Sequence, residues 1–155
     1  MRRFVENRIL CGDTLQVDRY GDTFWMHGNL GVPGQLIVCV DKLILCLDAD
    51  DDPEVQTDSY AYNVSVAGYN NVFRYDNAHV HTGHSDEHHR HAFNWRTGEQ
   101  LADSPVWLGR QGWPTLNMVL QEAYDWACAH RLELPNPDDC PQLEGRPAPA
   151  NPFEI

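Results

Sequence analysis

The sequence predicts an α+β domain in which a curved antiparallel β-sheet packs against one C-terminal helix. Two observations support this prediction: strand-like patterns come first along the chain, and one strong helical pattern comes late. At 155 residues the chain is long enough to bury a core without added cross-links. We expect a single domain over residues 1–132, followed by an acidic, proline-rich tail over residues 133–155.

The first strand patterns lie in the middle of the chain. Two apolar runs, Leu36–Val40 and Leu43–Leu47, predict either a hairpin or one long strand. Residues 48–58 are rich in acids and contain a proline, so we expect an exposed loop there. Residues 60–66 then alternate as a half-buried strand does, with one side formed by Tyr60, Tyr62, Val64 and Val66.

A hairpin is predicted to follow. Gly68–Asn71 has the composition of a turn, and residues 72–76 resume a strand. The strand period of two places Arg74 and Asp76 on one face and Phe73 and Tyr75 on the other. The segment 78–87 predicts a loop, and a further strand begins at His88, with His89 and His91 sharing a face with Phe93.

The helical pattern begins after Pro114. Thr115 is a suitable N-cap, and the pattern extends to about Arg131, whose charge suits a helix C-terminus. Apolar residues recur at helical spacing. We expect the buried face to contain Leu116, Val119, Leu120, Ala123 and Ala127.

Charge is distributed unevenly along the chain. The net charge is −12, and residues 41–58 alone carry seven acids against one lysine, whereas residues 133–155 carry five acids against one arginine. An extended nucleic-acid surface is therefore not expected. Residues 74–96 balance three arginines against three acids, which leaves room for a local phosphate site. No apolar run has the length of a membrane span or a signal peptide, so we expect a cytoplasmic protein.

The five cysteines are dispersed and form no CxxC pair. In a cytoplasmic chain this pattern is typical of small buried apolar residues, so no disulfide is expected.

Histidine clustering is the most informative feature for function. Six of the eight histidines lie between His79 and His91. Imidazole exchanges protons near neutral pH and is a common metal ligand. Two chemistries fit: metal-free RNA cleavage by two histidines and an arginine, or metal binding by the pairs His79-x-His81 and His89-x-His91.

Plainer interpretations stay open for each of these residues. The cluster could be a solvated loop, and Arg74 and Asp76 could simply form an ion pair within one strand. The isolated His27 and His130 are expected at the surface. Tyr75 alternates with Phe73 and is expected in the core.

The motif RYDN at Arg74–Asn77, followed by HHRH at His88–His91, resembles the TumE family of bacterial toxins. The resemblance covers roughly the middle third of the chain, and Arg90 stands where lysine is expected. It implies the toxin half of a toxin–antitoxin pair, presumed to be a ribonuclease, with a helix-turn-helix antitoxin as partner. It also implies a site that contains Arg74, Asp76, His88, His89 and His91.

The leading hypothesis is thus an endoribonuclease toxin that needs no cofactor, with a divalent metal as an option. In this hypothesis His89 and His91 are the acid and base, Arg74 binds phosphate, and Asp76 orients Arg74 or an imidazole. A mobile loop would bring His79 and His81 over the site. The alternatives are a metal-dependent hydrolase with histidine ligands and a non-enzymatic protein-binding module.

Overall fold

The structure, a computed structural model, describes residues 9–47, 54–77, 88–109 and 111–145. These residues form eight strands and, after them, one helix. The elements are β1 (Gly12–Asp13), β2 (Gln16–Tyr20), β3 (Thr23–Val32), β4 (Leu36–Leu47), β5 (Glu54–Val66), β6 (Asn71–Asp76), β7 (His89–Ala92), β8 (Val106–Trp107) and α1 (Leu116–Ala129).

All eight strands belong to one antiparallel sheet. The order is β1-β3-β4-β5-β6-β7-β8, and β2 pairs with β3 beyond the end of β1. The sheet is curved but not closed, and the helix follows the last strand. The predicted α+β architecture is therefore confirmed.

Strand β4 is one long strand and not a hairpin. It pairs with β3 from Leu36 to Leu45 and with β5 from Leu36 to Leu47, with a register shift against β5 between Leu43 and Ile44. The face of β4 and β5 that points toward the helix is fully buried, because period-two alternation brings every second apolar side chain to it. Its main residues are Leu36, Val38, Val40, Tyr60, Tyr62, Val64 and Val66.

Helix α1 covers this apolar face. Thr115 caps its N-terminus, where the threonine hydroxyl accepts a hydrogen bond from the backbone N–H of Met118 at 3.3 Å. The buried residues are Val119, Leu120, Ala123 and Ala127, as predicted, whereas Leu116 is only partly buried. In the described part of the chain no helix is long and apolar enough to cross a membrane.

The acidic segment differs from its prediction. Residues 54–58 are not a loop but the first part of β5, paired with the end of β4; residues 48–53 lie outside the described residues. The side chains of residues 54–58 are mostly exposed, so strand formation here does not require burial of Glu54 or Asp58. Backbone pairing with a long neighbouring strand outweighs the local composition.

The prediction about cysteine is wrong in two respects. Cys11 and Cys140 form a disulfide across 129 positions, and none of the three free cysteines is fully buried. Disulfides persist mainly in oxidising compartments. This bond and the expectation of a cytoplasmic protein therefore point in different directions.

The described part of the tail, residues 133–145, contains no helix or strand, yet it packs on the domain. Leu134 joins the core, and the backbone N–H groups of Gly34 and Gln35 both donate to the Asp139 carbonyl at 3.1 Å. The disulfide at Cys140 adds a covalent tie. This part of the tail is thus a strap held against β3, β4 and the helix.

Truncation of Leu120 should destabilise the fold. This side chain is 1% exposed between helix and sheet, so Leu120→Ala should lower the free energy of unfolding by about 2–5 kcal/mol. Met118→Ala, on the exposed side of the same helix, is the matched control and should change it by less than about 0.5 kcal/mol. Urea denaturation measures both. Equal effects would mean that α1 does not cover the sheet through Leu120.

Candidate functional site

Strands β6 and β7 bring four of the predicted residues together. The register pairs Arg74 with His91 and Asp76 with His89 directly across the two strands. Because each pair lies two positions from the next, all four side chains project from the same face of the sheet. This is the arrangement that alternation in the sequence predicts.

Asp76 is the centre of the group. Its side chain is fully buried, its Oδ2 lies 2.8 Å from Arg74 Nε, and its Oδ1 lies 3.1 Å from His89 Nε2. The expected ion pair within β6 is therefore present, and it is extended by a contact to the next strand. Neither carboxylate oxygen makes a hydrogen bond of good geometry to another described residue. The Arg74 guanidinium and the His89 ring are the polar groups closest to this buried carboxylate.

His91 is the member of the group with a shifted pKa. Burial lowers the pKa of His91 below its usual 6.5, and His89 and Arg74 lower it further, whereas Asp76 and a hydrogen bond with Gln100 oppose the shift. Its Nδ1 is buried and has no hydrogen-bond partner among the described residues. At neutral pH, His91 thus presents a neutral imidazole with a nitrogen able to accept a proton.

Solvent reaches the group from one side only. The side chain of Arg74 is 34% exposed and His91 is partly buried, whereas Asp76 and His89 have no exposed surface. A ligand from solution would therefore meet Arg74 and His91 first. Asp76 and His89 lie behind them and hold them in position.

The same residues form a possible metal site. One ligand atom from each of Asp76, His89 and His91 lies within 4.8 Å of the others. A carboxylate and two imidazoles form a ligand set used for zinc and other first-row transition metals. Zinc ligands bind at about 2 Å, so the most distant of these atoms would have to move inward. The group is close enough to bind a metal after a small adjustment.

The structure separates His88 from this group. His88 lies on the helix side of the sheet, where its Nδ1 is 3.1 Å from the Tyr60 hydroxyl and its ring stacks on Tyr60. The structure therefore does not bring His88 together with His89 and His91, as strand alternation indicates. His79 and His81 lie outside the described residues.

His27 also differs from its prediction. It is 1% exposed, stacks on Trp25 at 3.7 Å between ring centroids, and its Nε2 lies 2.9 Å from Asp18 Oδ2. A surface position is thus wrong for His27, because β2 covers it and supplies an acidic partner. His130 is partly buried and stacks on Trp126, so it is not a free surface residue either. Tyr75 packs against the core and donates a hydrogen bond to Glu122 at 2.6 Å.

Sequence reasoning missed two neighbours of the histidines. Trp107 pairs with His89 across β7 and β8, with ring centroids 5.2 Å apart, and Gln100 contacts His91. Strand β8 has only two residues, too few for any periodic pattern. No signal in the sequence identifies either neighbour.

A mostly polar row of cross-strand partners runs from β3 to β7 at the level of Asp76. It consists of His27, Asp41, Ala61, Asp76 and His89, of which only Ala61 is apolar. All the buried polar or charged residues in the described part of the chain belong to this row. The sheet therefore has an apolar face under the helix and an opposite face with a polar row.

Comparisons with protein-family models, with curated proteins and with solved structures find no match to this chain. The function has to be argued from the residues and their geometry.

Acidification should destabilise the protein partly through His91. Its pKa is 6.5 when unfolded and lower when folded, so below pH 6.5 the unfolded chain binds the proton first. The free energy of unfolding should therefore fall as the pH drops from 7.5 to 5.5. His91→Gln removes this titration, so the fall should be smaller in the variant. Urea denaturation at both pH values measures the difference. An equal fall in both proteins would contradict the lowered pKa.

Proposed function

We propose that this protein cleaves RNA as the toxin component of a toxin–antitoxin pair. The observation that carries the proposal is the shared face of Arg74, Asp76, His89 and His91, in which a guanidinium and two imidazoles surround one carboxylate. These residues belong to the RYDN and HHRH elements, which resemble the TumE family. The proposal covers the reaction class and the site; it leaves the RNA target open.

The proposed chemistry uses the two residues that solvent reaches, Arg74 and His91, and the buried His89. His91, neutral at pH 7, takes the proton from a ribose 2′-hydroxyl once its ring turns so that the buried Nδ1 meets the substrate, and that oxygen attacks the adjacent phosphorus. Arg74 stabilises the negative charge that builds on the phosphate oxygens. The departing 5′-oxygen needs a proton from an acid. His89 is the candidate for this role, and the buried position of its ring requires the sheet face above it to open.

Asp76 has a positioning role in this scheme. Asp76 holds the guanidinium of Arg74 from one side and contacts His89 on the other. A fixed guanidinium loses less entropy when it binds a phosphate than a free one does. No cofactor is needed for these steps, and the proposed place of action is the cytoplasm. The proposed partner is a cognate antitoxin, expected to be a helix-turn-helix protein.

Replacement of His91 tests the proposal. His91→Ala should lower the rate of RNA cleavage by about 10²–10⁴-fold and relieve growth arrest on induced expression. Because His91 is only partly buried, the melting temperature should change little. Labelled RNA incubated with purified protein measures cleavage, and circular dichroism measures melting.

The matched control is His130→Ala, which removes a partly buried imidazole at the end of α1 and should leave cleavage unchanged. His27 and His89 are unsuitable for this purpose because both are fully buried, and their loss would itself destabilise the fold. A folded His91→Ala protein that cleaves RNA and arrests growth like the wild type would contradict the assignment.

A second candidate, a metal-dependent hydrolase, is favoured by one observation. The ligand atoms of Asp76, His89 and His91 converge within 4.8 Å, and both Asp76 oxygens lack hydrogen bonds to other described residues. If they hold a metal, the ion would supply a Lewis acid or an activated water. Arg74 would bind the phosphate in either scheme.

Metal content distinguishes the two candidates. After dialysis against Zn²⁺ or Mn²⁺, the metal-dependent candidate predicts about one ion per wild-type chain by elemental analysis of the tag-free protein. Asp76→Asn and His91→Ala should then reduce binding at least tenfold, whereas His130→Ala should keep it. Cleavage that persists in protein without metal would exclude this candidate.

A further inference from the structure

A cavity opens on the helix side of the sheet, at the ends of β6 and β7 nearest the proposed site. It has a volume of about 280 Å³, slightly below the roughly 300–1,000 Å³ of typical small-molecule pockets. A single ring system fits this size better than a larger ligand does. The lining residues are Gln56, Thr57, Asn77, His88, Gln111 and Trp113.

Aromatic rings form one wall of the cavity. The rings of His88, Tyr60 and Trp113 form a triangle, with centroid distances of 5.7 Å from His88 to Tyr60, 6.0 Å from His88 to Trp113 and 6.4 Å from Tyr60 to Trp113. Trp113 is 43% exposed, unlike the buried Tyr60. The exposed indole of this cluster provides a surface on which a planar ligand can stack.

The backbone holds Trp113 in this position. Gly112 precedes it, and a Cβ atom at Gly112 would collide with the carbonyl of Leu108. The Gly112 N–H donates to the Gly109 carbonyl at 3.0 Å. The close approach of Gly112 to Leu108 and Gly109 thus requires glycine at position 112, and it places the Trp113 indole at the rim of the cavity.

Polar groups at the cavity differ in their availability. The Asn77 amide is used within the fold: its oxygen accepts from the Tyr60 N–H at 2.7 Å, and its nitrogen donates to the Asp58 carbonyl at 3.0 Å. The side-chain amides of Gln56 and Gln111 make no hydrogen bond to any described residue. A glutamine amide both donates and accepts, so it can pair with the polar edge of a nucleobase.

A lysine lies near the cavity. The Lys42 Nζ is 5.8 Å from the centre of the Trp113 ring. None of the lining residues carries a carboxylate. A nucleotide, which combines a flat base with a phosphate, matches this environment better than a cationic ligand does.

The cavity and the proposed site lie at the same strand ends. Asp76 and Asn77 are consecutive, as are His88 and His89, so alternation sends one member of each pair to each face. A single-stranded RNA whose phosphate rests at Arg74 would reach this cavity by passing around the ends of β6 and β7 from one face of the sheet to the other. Sequence-specific RNA recognition commonly stacks unpaired bases on aromatic side chains and reads their edges.

We propose that this cavity holds one unstacked nucleobase of the RNA, next to the phosphate that is cleaved. The inference rests on the proposed function, because it names the subsite that would give this ribonuclease its base preference. Trp113 and His88 form the stacking wall, and Gln56 and Gln111 pair with the edge of the base. His88 is thereby a binding residue and not part of the acid–base group.

Binding of uncleavable RNA tests this subsite. Four fluorescein-labelled hexanucleotides, all-A, all-C, all-G and all-U, are made with 2′-O-methyl groups that block cleavage, and fluorescence anisotropy measures their affinities. The wild-type protein should prefer one of them. Trp113→Ala should weaken that complex by about 5- to 150-fold, Trp113→Phe should restore much of it, and Gln111→Ala should reduce the preference.

The matched control is Tyr69→Ala, which removes a ring that is 50% exposed at the opposite ends of β5 and β6. It should leave all four affinities unchanged. Competition experiments compare ribose 5-phosphate with the mononucleotide of the preferred base. If ribose 5-phosphate displaces the labelled RNA as well as that mononucleotide does, only the phosphate is recognised and the inference is overturned. Two other results would overturn it. The first is that folded Trp113→Ala binds all four RNAs as the wild type does. The second is that the wild type binds none of them, which is the result expected if the cavity binds a side chain of a partner protein.

Cleavage of natural RNA separates this inference from the proposed function. If the wild type cleaves RNA and Trp113→Ala leaves KM unchanged, the subsite is wrong and the function stands. If the wild type never cleaves RNA but binds one base selectively through Trp113, the subsite stands and the function is wrong. With both correct, Trp113→Ala should raise KM and change kcat little.

Discussion

The fully buried carboxylate of Asp76 is the constraint on which the rest of the candidate site depends. An ionised carboxylate away from water is costly unless cations lie close to it, and here Arg74 approaches one oxygen and His89 the other. This requirement also sets the register of β6 against β7. A slip by one residue would turn His89 toward the helix and leave the carboxylate without its cross-strand partner.

The two faces of the sheet have separate physical roles. The face under α1 is apolar and supplies most of the stability, through side chains such as Tyr62 and Phe73 that are almost fully buried. The opposite face carries the polar row from His27 to His89. Because the polar residues stand on paired strands and not on loops, their relative positions are held by the backbone ladder. The ladder fixes the spacing between Arg74, which would hold the phosphate, and His91, which would accept the proton.

Features of the structure that depend on neighbouring residues in the sequence could be predicted, whereas features that depend on contacts between distant residues could not. Strict alternation identifies the buried face of β5 and the shared face of Arg74 and Asp76, because a strand has a fixed period of two. The helix is likewise visible from its cap and spacing. For residues 54–58 the local sequence predicts a loop, but they form a strand because they pair with the end of β4. The burial of His27 depends on Asp18 across a hairpin, and the pairing of Cys11 with Cys140 joins distant parts of the chain, so neither leaves a local signal.

The bridge between Cys11 and Cys140 also determines how the domain responds to mechanical load. The sheet and the helix lie between these two positions, so tension applied to the chain outside them runs through the covalent bridge and bypasses the strand ladder. Pulling would leave the enclosed strands unextended while the bridge is intact. An unfolding machine that draws in the polypeptide from one side would meet two linked segments at once, and it would have to pass both together or wait for the bridge to be reduced.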